Sequence, residues 1–198
     1  MSKKSNLIIF LILVLVLTGQ VSAQNKFGPR TDAFIKIFAS GNYHMKATTT
    51  IDKVKAEMEF FLKGNRMATT ISAAGETSRI ITRDNKTYMI MDQMKMIMVL
   101  PAQGLAESAA VDTSGMSFTG SGTASFAGKN LPYEEYSEKD GSKSQFFIDG
   151  NKLAGIRSIS KEETVDMVIT VLDQNVPDSV FNVPTTGYQV QDMSNMKF

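Results

Sequence analysis

The sequence contains no cysteine among its 198 residues, which excludes disulfide bonds, thiolate metal sites and a cysteine nucleophile. Its one histidine, His44, excludes histidine-rich metal sites, and a Ser-His-Asp triad would depend on that single imidazole. An excess of charge is lacking too, with 21 Lys and Arg against 20 Asp and Glu. A basic surface for nucleic acid is therefore not expected. The 42% of hydrophobic residues is typical of a globular domain with a sizeable core.

The first residues have the pattern of an export signal. Lys3 and Lys4 precede the apolar run from Leu7 to Leu17, and the small residues Val21-Ser22-Ala23 predict cleavage before Gln24. The run is too short to span a bilayer, which takes about 20 apolar residues. No lipobox cysteine follows it, so a lipid anchor is not expected. The sequence thus predicts a cleaved signal peptide at residues 1–23 and a single domain at 24–198, located in the periplasm or secreted.

A short amphipathic helix is predicted at the start of the mature domain. Thr31 is the expected N-cap, Asp32 lies in the first turn, and Gly41 is the expected stop. Its apolar stripe consists of Phe34, Ile35 and Phe38. This stripe needs a partner surface to cover it.

From Asn42 to Leu100, alternation of apolar and polar residues predicts six strands. The predicted turns are Ile51-Asp52, Gly64-Asn65, Gly75-Glu76, Asp84-Asn85 and Asp92-Gln93. Two-residue turns fix the register of a hairpin, so the pairing can be extended from strand to strand. One row then contains Met45, Met58, Ile71, Ile80, Met89 and Met96, and the next contains Tyr43, Phe60, Thr69, Thr82, Thr87 and Met98. Leu62 is predicted to pair with Met67, and Met91 with Met94.

The opposite face of these strands is predicted to be wet. It carries mainly charged residues, among them His44, with five apolar exceptions: Phe61, Ile81, Tyr88, Ile90 and Ile97. One apolar and one polar face are typical of an antiparallel meander packed on one side only.

The second half of the chain continues the sheet after an interruption. Residues 101–128 include an Ala-rich stretch, Ala102 to Val111, that is predicted to form a short lid helix. Strand alternation then resumes from Thr123 to Asp173, and the prolines of the tail from Val176 to Tyr188 predict an extended edge segment. The predicted fold is mainly β (α+β), with a long curved antiparallel sheet of roughly ten or eleven strands. This open half-barrel carries the N-terminal and lid helices on its concave face.

No sequence motif predicts catalysis, a metal or a cofactor. The predicted register places His44 opposite Glu59, an arrangement most often found at ordinary surface sites. The neighbouring Glu134 and Glu135 would point to opposite faces of a strand, and we interpret them as solvated charges. We therefore predict no catalytic residue, no metal ligand and no cofactor, and the protein is expected not to be an enzyme.

Methionine is the unusual residue of this sequence, with 13 in the whole chain. Three interpretations compete: flexible core filling, an adaptable groove for acyl chains, and a Cu(I) site of thioethers. The predicted hydrophobic ligand-binding face consists of Met45, Met58, Phe60, Leu62, Met67, Ile71, Ile80, Met89, Met91, Met94, Met96 and Met98.

Several segments resemble a known family. They are Tyr43-His44-Met45-Lys46-Ala47-Thr48, Gly64-Asn65-Arg66-Met67, Lys86-Thr87-Tyr88, Ala127-Gly128-Lys129 and Phe181-Asn182-Val183-Pro184 with Gly187-Tyr188. With the export signal and the long meander, the chain resembles the LolA-like superfamily of periplasmic outer-membrane lipoprotein carriers, in particular its exported relatives of unknown function. The resemblance covers most of residues 30–192. It implies an open half-barrel wrapped around helices, whose concave apolar face holds the acyl chains of a lipid or lipoprotein.

The leading functional hypothesis is a non-enzymatic exported protein that binds a hydrophobic ligand on its Met-rich face, as a carrier or a sensor. Residues 34–38 would act as a plug and the Ala102 to Val111 stretch as a lid. The alternative is a structural or interaction protein of the envelope whose apolar face is only its core, with other envelope proteins as its partners.

Overall fold

The computed structural model describes residues 27–51, 53–101, 116–138 and 140–194. The predicted signal peptide and the predicted lid helix lie outside these residues. The described chain forms helix α1 and one sheet. Their bounds are α1 Asp32–Ala39, β1 Asn42–Ile51, β2 Val54–Lys63, β3 Arg66–Ala73, β4 Glu76–Arg83, β5 Lys86–Met91, β6 Met96–Pro101, β7 Ser117–Phe126, β8 Lys129–Ser137, β9 Lys143–Asp149, β10 Lys152–Ile159, β11 Thr164–Asp173 and β12 Gln189–Asp192, with a 3₁₀ turn at Asp178–Phe181.

The sheet is open and has 12 strands in the order β12-β6-β5-β4-β3-β2-β1-β11-β10-β9-β8-β7. The predicted count of ten or eleven was therefore slightly low. Neighbours pair antiparallel except β12, which pairs parallel with β6 at one edge. The tail from Val176 to Tyr188 was predicted to be an extended edge segment, but the strand at this edge is β12, and the tail before it packs on one face of the sheet. The pairing of β1 with β11 joins the first meander to the second half, so that both halves form one surface.

The predicted registers are confirmed at two of the five hairpins and shifted by two residues at three. Met58 faces Ile71, and Ile80 faces Met89, as predicted. In contrast, Met58 faces Ala47 rather than Met45, Ile71 faces Ser78 rather than Ile80, and Met91 faces Met96 rather than Met94. A shift of two residues returns each side chain to the same face of a strand. Each face of the sheet therefore carries the side chains that were predicted for it, whereas the predicted cross-strand rows of residues do not form as predicted.

We call the face on which helix α1 packs the inner face. The helix buries Ile35 and Phe38, as its apolar stripe predicts, whereas Phe34 is half-buried. Phe38 meets the ring of Tyr43 edge-on at a centroid distance of 5.2 Å. The inner core also contains Met45, Met58, Phe60, Leu62 and Ile71 from the first half of the sheet, with Phe146, Leu153, Ile156, Met167 and Ile169 from the second half. One short helix thus helps to bury apolar side chains from both halves of the sheet.

The prediction that the opposite face is wet was wrong for part of the sheet. Ala68, Ile81, Ile90, Ile97 and Val99 form a second core on this outer face with Val176 and Phe181 of the tail. The five apolar exceptions in the sequence have their explanation here, because Phe61 and Tyr88 pack against the same cluster as Ile81, Ile90 and Ile97. The chain from Val176 to Tyr188 therefore covers an apolar patch that the hairpin pattern alone leaves exposed.

Candidate functional site

The 12 residues of the predicted ligand-binding face fall into three groups. Met45, Met58, Phe60, Leu62, Ile71 and Ile80 are buried, with at most 7% of their surface exposed. Five methionines on β3, β5 and β6 are half-buried: Met67, Met89, Met91, Met96 and Met98. We call these five the methionine strip. Met94 lies apart from both groups, since it falls in the turn between β5 and β6 and is 62% exposed.

The methionine strip shares the inner face with the buried residues. Met89 faces Met98 across β5 and β6, and Met91 faces Met96 one step along. Met67 packs against the inner core from β3. The strip is thus an apolar surface of flexible thioether side chains that the core does not fully bury.

A cavity of about 580 Å³ lies beside helix α1. This volume is within the 300–1,000 Å³ that is usual for small-molecule pockets. Helix α1 contributes Phe34 and Ile37, and the sheet contributes an apolar wall: Phe126, Leu131, Leu153, Ala154, Val168, Ile169, Val171 and Leu172. None of the 12 residues predicted to bind ligand lines this cavity.

The cavity draws its wall from two apolar clusters. Leu153 and Ile169 belong to the inner core, while Phe126 and Leu131 belong to a smaller cluster around Phe147. The β9–β10 ladder shifts register between Leu153 and Gly155, and the β1–β11 ladder shifts between Lys46 and Ala47. Such bulges bend a strand and increase its twist. Both shifts lie in strand segments that line the cavity.

The start of helix α1 is held by a buried carboxylate on β8. Glu134 is 2% exposed and accepts hydrogen bonds at Oε1 from the Arg30 backbone N–H (3.1 Å), and at Oε2 from the Thr31 N–H (3.0 Å) and hydroxyl (2.7 Å). A negative charge is favourable at this end of a helix, where backbone N–H groups lack partners. The interpretation of Glu134 as a solvated charge was therefore wrong. Thr31 occupies the predicted N-cap position, but its side chain makes no capping bond to the helix.

Tyr136 and Gly28 complete this attachment, which we call the Glu134 latch. The Tyr136 hydroxyl accepts a hydrogen bond from the Gly28 N–H at 2.9 Å and also contacts the Thr31 hydroxyl. Burial raises the pKa of Tyr136, which keeps the phenol neutral. A Cβ added at Gly28 would lie 2.2 Å from Glu134 Oε2, so this position requires glycine for close approach. The latch fixes the position of α1 over the inner face.

His44 lies on the outer face, away from the cavity lining. Its register partner is Phe61 rather than the predicted Glu59, and the two rings stack at 4.3 Å. The imidazole still reaches Glu59, with Nε2 2.9 Å from Oε1. Lys46 Nζ lies 3.0 Å from the same Glu59 oxygen. These contacts are those of a surface ion-pair network.

Within the described ranges, no group of three or more His, Asp or Glu side chains is arranged to hold a metal ion.

None of the helices in the described part of the chain has the length and hydropathy needed to cross a membrane.

Comparison with known proteins gives similarity of fold only. No family model matches the chain, and no curated protein matches it. Among solved structures, an uncharacterized conserved protein from Thermus thermophilus matches with a TM-score of 0.53 over 81% of this chain and 99% of that one, at 6% identity. At this identity the match shows a shared fold and nothing further.

Two further solved structures are similar at lower TM-scores. The LolA superfamily protein NE2245 from Nitrosomonas europaea has a TM-score of 0.40 at 10% identity, over 79% of this chain and 99% of that chain. The Pseudomonas aeruginosa MucA/MucB complex has a TM-score of 0.44 at 11% identity, over 76% of this chain and 58% of that chain. A LolA superfamily protein is thus among the solved structures that this chain is similar to.

Sequence reasoning missed both the cavity and the latch. The cavity lies where bulged strands and α1 come together, and neither the bulges nor the position of α1 has a local sequence signal. For Glu134 a partial signal exists, because a charged residue on the same strand face as Tyr136 interrupts an otherwise inward-facing pattern. Its partner, the Thr31 region, is about 100 residues away in the sequence.

Proposed function

We propose that this protein, exported and cleaved to a single domain of residues 24–198, is a non-enzymatic carrier or sensor located in the periplasm or secreted. Its ligand is hydrophobic, such as the acyl chains of a lipid or lipoprotein. The ligand binds between helix α1 and the inner face of the sheet. The observation that carries this proposal is the apolar-walled cavity of about 580 Å³ beside α1.

Helix α1 acts as a plug in this proposal. The inner face carries a contiguous apolar surface that must be covered in the absence of ligand, because large exposed patches promote aggregation. The helix covers it with Phe34, Ile35, Ile37 and Phe38. A chain that enters the cavity contacts Phe34 and Ile37 first. It reaches the residues beneath the helix only by displacing α1.

The energetics favour a long chain as ligand. Burying an apolar side chain stabilises by about 1.5–3 kcal/mol, so releasing the two buried residues Ile35 and Phe38 costs roughly 3–6 kcal/mol. Each methylene of the ligand that is buried contributes about 0.8 kcal/mol to the free energy of binding. A chain of roughly eight or more methylenes therefore offsets the loss of the plug, whereas a short chain fits only the cavity.

The predicted Met-rich face remains part of the proposed site. Five of its six buried members belong to the inner core on which helix α1 packs, and the methionine strip provides the adaptable contact surface further along the inner face. Thioether side chains repack easily around chains of different shape. The strip therefore suits a ligand class rather than a single ligand.

The direct test is lipid retention. Delipidated protein is incubated with fatty acids or phospholipids and examined by native mass spectrometry and thermal melting. We expect retained lipid and a melting temperature that rises with lipid concentration, as linkage requires. If no lipid is retained and the melting temperature does not change, the proposal is wrong.

A matched pair of variants tests the contribution of the methionine strip. Met89→Ser with Met98→Ser makes the strip polar at one cross-strand pair, and Met94→Ser makes the same change at the exposed turn. We expect at least tenfold weaker binding of a C16 acyl chain to the double variant and no change for Met94→Ser. If both variants bind the C16 acyl chain with equal affinity, the methionine strip is not part of the site.

The alternative function, an envelope interaction protein with a filled core, is favoured by one observation. Met45, Met58 and Phe60 are at most 4% exposed, as in an ordinary core. This alternative predicts that no hydrophobic ligand protects the wild-type protein from unfolding. The melting experiment above separates the two functions.

A further inference from the structure

We propose that the cavity beside helix α1 recognises the head-group end of an anionic amphiphile through Lys129 and Lys152. The proposal rests on the proposed function and adds to it the charge of the ligand and the residues that recognise this charge. It differs from the Met-rich face in location, because neither lysine belongs to the first half of the sheet.

The charged lining of the cavity comes from two turns. Lys129 follows the β7–β8 turn, whereas Asp149 and Lys152 stand on either side of the β9–β10 turn. Lys129 Nζ lies 2.7 Å from Asp149 Oδ2, so their charges offset each other. Lys152 then gives this edge of the cavity a net positive charge. Of the residues that the structure describes, these three are the charged ones in the lining.

The position of these charges orients a ligand. Lys129, Asp149 and Lys152 are exposed, whereas Leu131, Leu153 and Ile169 in the wall of the same cavity are buried. Burial of an apolar chain against this wall is favourable, whereas burial of an anionic group there is unfavourable unless the group is paired. The head group therefore stays with the lysines at the water-exposed edge, while the chain points towards Phe34 and Ile37 of α1.

Lys129 can exchange its partner Asp149 for the anionic group of a ligand. Its present acceptor, Asp149, is itself about half exposed at 48%, so the pair is worth little in water. A carboxylate or phosphate on a ligand held by its apolar chain competes at high effective concentration. The ammonium groups of both lysines then contact the same anionic group. Because the lysines are exposed, we expect the charge to strengthen binding by only about fivefold.

The experiment compares three probes that share one C16 acyl chain: palmitate, palmitoyl lysophosphatidate and neutral monopalmitoylglycerol. Their affinities for the mature chain are measured by isothermal titration calorimetry below the micellar concentration. We expect both anions, or one of them, to bind about fivefold tighter than the neutral probe at low salt. The difference should shrink at high salt, since exposed charges are screened.

Two double variants locate the recognition. Lys129→Gln with Lys152→Gln should bring the ratio of anion affinity to neutral-probe affinity down to about one, and a far-UV circular dichroism spectrum equal to that of the wild type shows that the variant is folded. The control, Lys55→Gln with Lys161→Gln, removes the same charge from exposed positions outside the cavity lining. The control should keep the preference for the anion.

Each outcome has a distinct meaning. Preference for only one anion supports the proposal and identifies the head group as carboxylate or phosphate. Equal binding of all three probes to the wild type overturns the role of the lysines and leaves the proposed function standing. A control variant that also loses the preference assigns it to overall charge and overturns the site. Absence of binding for every probe overturns the proposed function as well.

Discussion

At the scale of single residues, the most consequential side chain is Glu134. A carboxylate in an apolar interior is unfavourable unless hydrogen bonds replace its water. Three donors from Arg30 and Thr31 do so here. Because Glu134 is on β8 and its donors precede α1, one buried charge ties the helix to the far half of the sheet.

Glu134→Gln should destabilise the protein. The amide keeps the shape of the side chain but directs an NH₂ group at backbone N–H donors. Hydrogen bonds to a charged group contribute about 1.5–3 kcal/mol, so we expect the free energy of unfolding to fall by about 2 kcal/mol in urea titrations. Glu76→Gln, at an exposed strand end, is the control and should stay within about 0.5 kcal/mol. A similarly small effect of Glu134→Gln would contradict the latch.

Gly28→Ala tests the same contact from the other side. The new Cβ meets Glu134 Oε2 at 2.2 Å, and overpacking of this kind costs about 1–3 kcal/mol. In a Glu134→Ala background the obstacle is gone, so Gly28→Ala should cost less there, by at least about 0.5 kcal/mol in a double-mutant cycle. Additive effects of the two substitutions would show that Gly28 is required for another reason.

Asp92 gives the protein a defined response to acid. Hydrogen bonds from Arg79, at 2.7 and 2.8 Å, hold the pKa of Asp92 below its usual range, and the Tyr188 hydroxyl adds to the effect. A group with a lowered pKa in the folded state stabilises the fold above its unfolded pKa, about 3.9, and loses this contribution as the pH falls through the folded value.

Asp92→Asn should therefore be less stable than the wild type at pH 7, by less than about 1 kcal/mol because the pair is partly exposed. The difference should shrink as the pH is lowered from 4 towards 2 in urea titrations at about one-unit steps. A difference that stays constant over that range would show that ionisation of Asp92 is not linked to folding.

At the scale of elements, the tail from Val176 to Tyr188 covers part of the outer face of the sheet, so that the protein has a hydrophobic core on each side of the sheet. Its anchor is Phe181, which is 1% exposed and lies under the Arg66 guanidinium at 4.7 Å. Arg66 and Lys63 also hold Asp178, with Nη2–Oδ1 and Nζ–Oδ1 distances of 2.7 and 3.1 Å. These contacts lower the pKa of the Asp178 carboxyl.

Phe181→Ala should detach this segment from the outer face. Removing a buried phenyl ring costs about 3–5 kcal/mol, which denaturant titrations will measure. Val190→Ala on β12 is the matched control, since Val190 is 58% exposed, and its effect should be within about 0.5 kcal/mol. If the two substitutions cost the same, the tail does not act as a cover.

The hairpins show how far sequence reasoning extends at this scale. Gly64-Asn65 and Asp84-Asn85 gave the correct turns, because glycine and asparagine accept the positive φ that such turns require, here 60° at Gly64 and 56° at Asn85. At the third turn Ala74 has a φ of 53° and Gly75 one of 82°, so the turn lies one residue before the predicted pair. Alanine carries no signal for that conformation. The same kind of two-residue error at the β5–β6 hairpin placed Met94 in a strand, whereas it lies in the turn.

At the scale of the whole molecule, the described strands share one sheet, with β1 joined to β11 at its centre. We therefore expect cooperative unfolding of a single domain. Tyr43 in the inner core and Tyr88 beside the outer core report on both faces. Far-UV circular dichroism and tyrosine fluorescence should give coincident urea transitions. Two separate transitions would contradict the single domain proposed for residues 24–198.

The sequence by itself determined the class of fold, the amphipathic helix, the strands of the meander and the side chains on each face. These follow from periodicity, which acts over a few residues and survives a register error of two. Tertiary structure decided the rest: the tail on Phe61 and Ile81, the burial of Glu134 under Thr31, and the cavity between Ile37 and Leu153. Each of these unites segments distant in the chain, and their contacts depend on how the sheet bends and where the helix packs, which no local pattern encodes.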